Sequence, residues 1–234
     1  MSKITENIAA NLARVRERIR AACERAGRDP SAVQLVAASK TVEVARLAEA
    51  LAAGQSVFGE NYVQEAKRKA RELTGATWHL HWHLLGHLQT NKAAPAVKLF
   101  DLIHSVDSLH LAEELDRRAR EVGKVQAVLI EVNLAGEASK AGIVEEGLPE
   151  LARGVAALPN LDLRGLMSVP PLELEPELAR PYFARLRKLR DLLRQRLGLP
   201  LPELSMGMSG DFEVAIEEGA TIVRVGTAIF GSRN

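Results

Sequence analysis

A single cysteine, Cys23, stands in the whole chain, which excludes an intrachain disulfide and a thiolate metal cluster. Its spacing places it on a helix face as a small apolar residue, and such sparing use of cysteine fits a reducing, cytoplasmic setting. Net charge of one sign is missing too: 31 Lys and Arg face 30 Asp and Glu, for a balance of +1. No basic field exists to hold a phosphate backbone, so nucleic acid is not an expected partner. Aromatic residues are only 4% of the chain, so aliphatic side chains must fill the core. No charged-then-apolar leader opens the sequence, and no apolar run approaches the roughly 20 residues of a membrane span. Membrane association is not expected. Nor does a Pro/Gly-rich linker or short internal repeat divide residues 1–234, which are read as one domain.

What is present is an alternation of short apolar runs with amphipathic patterns. Ile8, Leu12, Val15, Ile19 and Ala22, preceded by Ile4, recur at helical spacing and predict an opening helix over about 4–26, stopped by Gly27 and Pro30. Strands are expected at Val33–Ala38, Val57–Gly59, Trp78–Leu85, Leu102–Val106, Val125–Asn133, Leu161–Val169, Glu203–Met206 and Thr221–Val225. Helical patterns separate them near 42–53, 61–73, 90–100, 108–122, 145–157, 176–197 and 211–218. Such alternation implies parallel strands joined by crossover helices. The economical α/β architecture is a single (β/α)8 TIM-type barrel with an additional amino-terminal helix; an open doubly wound sheet is the alternative.

Barrels carry their chemistry at the carboxyl ends of the strands, and phosphate sites often use the loops after strands seven and eight. Lys40 follows the first expected strand, Asn61 the second, Ser209 the seventh, and Gly226 with Thr227 the eighth. Arg224 sits among apolar strand residues, where a guanidinium must find an acceptor: either a structural ion pair with Glu213 or Glu217, or a ligand atom. Gly226 allows close backbone approach, and the amides after it could join the hydroxyls of Thr227 and Ser209 around a dianion. A lysine amine, phosphate donors and a partner for a ring nitrogen are together what pyridoxal 5'-phosphate requires. The histidines offer a rival: His79, His81 and His83 alternate on one strand, with His87 soon after, in a pattern that could converge on zinc. An alternating set is more often the polar face of a strand, and no metal site is expected.

The segments Ala38–Thr41 (ASKT), Phe58–Glu65 (FGENYVQE), Trp82–Lys92 (WHLLGHLQTNK), Gly165–Pro171 (GLMSVPP), Ser205–Asp211 (SMGMSGD) and Val223–Gly231 (VRVGTAIFG) together resemble the pyridoxal phosphate homeostasis protein family. That resemblance implies a barrel like the amino-terminal domain of alanine racemase, of the type called fold type III among pyridoxal phosphate proteins. It also implies the cofactor on Lys40 as an imine, Arg224 at the pyridine nitrogen, and Ser209, Gly226 and Thr227 at the phosphate. Asn61 carries over as a pocket residue. Two departures stand out: Gly210 occupies a position usually acidic in the family, with Asp211 next, and the WH pair occurs twice over Trp78–His83.

The expected role is then a non-catalytic carrier and regulator in vitamin B6 and amino-acid homeostasis. Its expected partners are pyridoxal phosphate and the dependent apoenzymes that would receive it, and the chain is expected to be monomeric. An amino-acid racemase, or another enzyme using the same cofactor, is the alternative. Two-face racemisation needs a second base opposite the lysine; Tyr62 and Tyr182 fall at helix starts or within helices, and the chain ends soon after the last motif.

Overall fold

A strand that is apolar at successive positions needs cover on both faces, and this chain provides it by closing a parallel sheet on itself. The computed structural model describes residues 7–73, 80–137, 141–171 and 175–231. Within them α1 (Ile8–Arg25) precedes the repeating units β1 (Gln34–Ala38), α2 (Val44–Ala52), β2 (Val57–Glu60), α3 (Val63–Glu72), β3 (His81–Leu84) and α4 (Ala93–Leu99). There follow β4 (Leu102–Val106), α5 (Leu109–Glu121), β5 (Gln126–Glu131), α6 (Leu148–Ala156), β6 (Leu161–Met167) and α7 (Pro176–Leu197). The chain continues with β7 (Glu203–Ser205), α8 (Phe212–Glu217), β8 (Ile222–Val225) and a one-turn α9 (Thr227–Phe230). The strands pair in sequence order, and β8 returns to β1 over the register Gln34↔Ile222 to Ala37↔Val225. The expected barrel is therefore present, and the open sheet is not.

Alternation along each strand sorts side chains into two apolar layers. Val36, Val57, Leu102, Leu129, Met167 and Ile222, each from a different strand, pack together inside the barrel. Their neighbours Ala37, Phe58, Ile103, Val128, Leu166 and Val223 face the helices in the larger outer core. The strand expected at Trp78–Leu85 runs from His81 to Leu84, while Trp78, His79 and Ile4 lie outside the described residues. The strand expected to reach Asn133 ends at Glu131, because Val132 makes only an isolated bridge to Ile143. The pattern over 90–100 divides into a 3-10 turn, Thr90–Lys92, and α4, and a short helix replaces the turn expected after Gly226.

Helix α1 lies outside the repeating units and packs on α8, α9 and α2. Asn7 starts it by accepting from the Ala10 amide at 3.1 Å. Its apolar stripe includes Cys23, whose thiol burial pushes up, in keeping with a packing role. Arg18 reaches Glu213 at 2.6 Å and stacks 4.5 Å from the centre of the Phe212 ring, and Arg25 meets Glu217 at 2.8 Å. These pairs are open to solvent and contribute little. The buried contact is different: Asn11 Nδ2 donates to the Ile229 carbonyl at 2.9 Å, tying α1 to the last helix. Asn11→Ala is expected to lower unfolding stability by about 1–3 kcal/mol, the usual cost of orphaning a buried partner. Arg18→Ala is expected to cost less than about 1 kcal/mol. Denaturant midpoints for the two variants check this ordering.

Candidate functional site

Strand alternation carries Val36 and Ala38 along the inner side of β1, and Lys40 continues that series beyond the strand end. Lys40, Asn61, Ser209, Arg224, Gly226 and Thr227 all line one cavity of about 480 Å³ at the carboxyl ends of the strands. Residues far apart in sequence thus meet where barrel topology placed them.

The turn holding Lys40 is fixed on both sides. Ser39 N–H donates to the Gly59 carbonyl at 2.9 Å, and the Ser39 hydroxyl donates to Glu60 Oε1 at 2.6 Å. Thr41 adopts φ 64, a left-handed conformation costly for a β-branched residue. Its N–H donates to Glu65 Oε1 at 2.7 Å, and its hydroxyl to the Lys40 carbonyl at 2.6 Å.

Arg224 points inward from β8 and is buried. Nη1 donates to Ser205 Oγ at 2.6 Å and Nη2 to the Ser168 carbonyl at 2.9 Å. The alternative pairing with Glu213 or Glu217 does not occur: Glu213 meets Arg18, and Glu217 meets Arg25 and Arg180 on the outer helices. Burial draws the guanidinium down to about 10, opposed by the charges of Glu131 and Asp211, so it remains a cation at neutral pH. Below it the contacts continue to His104 and His83. His104 Nδ1 lies 2.9 Å from Ser205 Oγ, and His104 Nε2 lies 3.0 Å from His83 Nδ1. Because arginine only donates, Ser205 Oγ accepts from it, and the direction of the two contacts beyond, Ser205 to His104 and His104 to His83, is set by the ring tautomers. Neutral imidazoles are required, and burial supplies them: it lowers His83 to about 4 and His104 well below the usual range.

At the end of β8, Ser209 Oγ accepts from the amides of Gly226 at 3.2 Å and Ala228 at 3.3 Å. As acceptor in both contacts, the hydroxyl keeps its own proton to donate. A Cβ at residue 226 would lie 3.1 Å from the Ala38 carbonyl, so glycine lets β8 turn closely over β1. Gly207 has φ 92 and lies against Phe212 and Ala215, leaving no room for a side chain in the turn before Ser209. Asp211 does stand at the start of α8, yet it makes no side-chain cap; Oδ1 accepts from the Met208 amide at 2.6 Å and braces the loop instead. A Cβ at residue 210 would meet nothing within 4 Å, so the glycine there answers to no steric demand.

The histidines separate. His79 lies outside the described residues; His81 is half exposed beside Asp101, His83 is buried against His104, and His87 pairs with Asp107 at 3.1 Å. Among the described residues no group of three or more His, Cys, Asp or Glu is arranged to hold a metal.

Glu131, which the sequence did not single out, ends β5 with Oε2 buried and unpartnered among the described residues. Burial pushes it from the ordinary 4.5 to about 7, against the opposing charge of Arg224. Its signal in the sequence was a carboxylate closing the apolar run Ala127–Ile130. Since folding raises this pKa, the folded chain binds the proton more tightly, and its contribution to stability falls as pH climbs from 4.5 to about 7. Glu131→Gln is therefore expected to gain on the parent by ~2 kcal/mol between pH 5 and pH 8. Melts at both pH values check this; an equal difference at each would remove the ionisation account.

The residue pattern has known counterparts. A family model described as alanine racemase, N-terminal domain, matches residues 10–234. The pyridoxal phosphate homeostasis protein of Aquifex aeolicus is 50% identical over 227 residues, covering 97% of this chain and 99% of that protein. The protein of the same name from Pseudomonas aeruginosa is 50% identical over 234 residues, covering 100% and 97%. Among solved structures, PipY of Synechococcus elongatus PCC7942 with PLP bound is 44% identical, with a TM-score of 0.86 over 96% of this chain and 100% of that one.

Proposed function

The chain belongs to the pyridoxal phosphate homeostasis protein family, and on that premise we propose that it holds pyridoxal 5'-phosphate in the Lys40 cavity as a carrier without catalytic turnover. One observation carries the reading: an amine, a buried guanidinium and a hydroxyl-amide cradle line a single cavity of about 480 Å³. The donor set fits the group. When bound, the group supplies an aldehyde that condenses with a primary amine and releases water. Lys40 is the amine assigned to that bond, being the lysine that lines the cavity. The Ser209 hydroxyl, Thr227 and the turn at Gly226 are assigned to the phosphate, where hydrogen bonds to a charged acceptor are strong. Asn61 closes the β2 side of the same cavity.

Arg224 is assigned to the ring nitrogen. Even drawn down to about 10 it keeps its proton at pH 7, so it donates a hydrogen bond and leaves that nitrogen unprotonated. A ring so held withdraws electrons weakly, which disfavours removal of a proton from a bound amino acid. Tyr62, the residue that starts α3, is 66% exposed, unlike the enclosed base that racemisation requires. Both features support binding and release over turnover. In that role the protein would pass its cargo to dependent apoenzymes.

Lys40→Ala is expected to abolish borohydride-stable attachment while changing the melting temperature little, since a half-buried loop-end lysine adds little to the core. Peptide mass spectrometry after reduction locates the adduct, and its persistence on another lysine would redirect the assignment. Incubation of the loaded protein with L- and D-amino acids in deuterated water is expected to give no sustained α-hydrogen exchange. Robust exchange that vanishes in Lys40→Ala would make the protein an enzyme.

A further inference from the structure

Beneath the Lys40 turn lies a second lysine whose surroundings are inverted. Lys69, on α3, is fully buried, and its Nζ donates to Glu60 Oε1 at 2.8 Å, Glu65 Oε1 at 2.7 Å and the Ser39 carbonyl at 2.6 Å. All three ammonium protons are thereby used. Glu60 is itself fully buried at the end of β2, where desolvation raises its pKa against the pull of Lys69 and Ser39. The same Glu65 oxygen that accepts a hydrogen bond from Lys69 also accepts from the Thr41 amide. The cluster therefore grips the backbone at residue 39 and at residue 41, and leaves only residue 40 between its two contacts.

Burying Lys69 and Glu60 side by side, with Glu65 half-buried beside them, is expensive, and a hydrophobic replacement often serves stability as well or better. Thr41, held at φ 64 without being glycine, adds a conformational cost at the same turn. Both costs fall where one residue's direction is decided. On a strand that simply continued, residue 40 would be followed by another extended residue; the left-handed Thr41 instead turns the chain immediately after Lys40 has entered the cavity.

We propose that Glu65, anchored by Lys69, which Glu60 holds in turn, is a positioning residue that enforces the left-handed Thr41 and so presents Lys40 to the cavity; this rests on the assignment of Lys40 as the attachment residue. Glu65 does not line the cavity, and acts through the Thr41 amide. Geometry rather than charge is the operative property, because the acceptor must reach across from the first turn of α3 to the turn after β1.

Two substitutions separate reach from charge. Glu65→Gln keeps an oxygen at the same distance and loses the charge; Glu65→Asp keeps the charge near Lys69 but draws the oxygen back by one methylene. In the cofactor-free protein, hydrogen exchange of a peptide spanning residues 39–42 is expected to accelerate at least tenfold at the Thr41 amide in Glu65→Asp, and to stay within about threefold of the parent in Glu65→Gln. Pyridoxal phosphate titrated into each protein and fixed with borohydride is expected to show affinity at Lys40 reduced tenfold or more in Glu65→Asp only. Exchange and affinity unchanged in Glu65→Asp, or lost equally in Glu65→Gln, would overturn the proposal. If the parent fixes no cofactor on Lys40, the attachment assignment fails, whereas the exchange comparison still decides whether Glu65 holds the turn.

Discussion

A charge carried into the middle of a barrel must be solvated by the barrel itself, and Arg224 imposes that constraint on this structure. Two residues earlier on the same strand, Ile222 belongs to the apolar packing inside the barrel. By Arg224 the interior has changed character, because Ser205, the Ser168 carbonyl, Glu131 and Asp211 all act on the guanidinium. The barrel is thus apolar at one level and polar at the next. That gradient places the cavity: packed aliphatics form a rigid floor, and the polar level above it can turn donors towards a ligand. Water, which would otherwise satisfy the cation, is replaced by dipoles held in place by strand pairing.

Much of this was readable because barrels convert sequence order into angular order. Lys40, Asn61, Ser209, Gly226 and Thr227 each follow a strand, and parallel closure sends every strand end to the same rim. What could not be read was radial direction and long-range pairing. Glu213 and Glu217 are near Arg224 in sequence, but α8 faces them outward to Arg18, Arg25 and Arg180, on the far side of the sheet. The bond between His104 and Ser205 crosses 101 residues, and no periodicity foretells it. Thr41 was equally opaque, since a left-handed threonine goes against its intrinsic preference and is imposed by Glu65 from another unit of the barrel.

The two lysines of the first barrel units show how one side chain type meets opposite environments. Lys69 lies between the sheet and α3, and its donors are spent on two carboxylates and a carbonyl. An amine so engaged is a poor nucleophile, since its lone pair appears only after a proton leaves a paired, buried site. Lys40 lines the cavity from a turn whose flanking backbone is bound by those same groups. The buried lysine thus contributes rigidity, and the cavity lysine is the one proposed to react.

The hydrogen-bonded support below Arg224 shows the same separation of roles. A guanidinium has no acceptor atom, so Ser205 Oγ accepts from Nη1, and the contacts below it pass through His104 to His83. His104 Nε2 and His83 Nδ1 meet at 3.0 Å, so one of them must accept, and burial favours that by holding both rings neutral. The chain accordingly stays uncharged at neutral pH and supports the guanidinium from beneath through Ser205. Glu131 is the group near this centre that burial brings to about 7, so a change around neutrality alters the charge facing Arg224 while its hydrogen-bonded support stays in place. Electrostatic tuning and geometric support of the arginine therefore reside in different residues, and each can vary without dismantling the other.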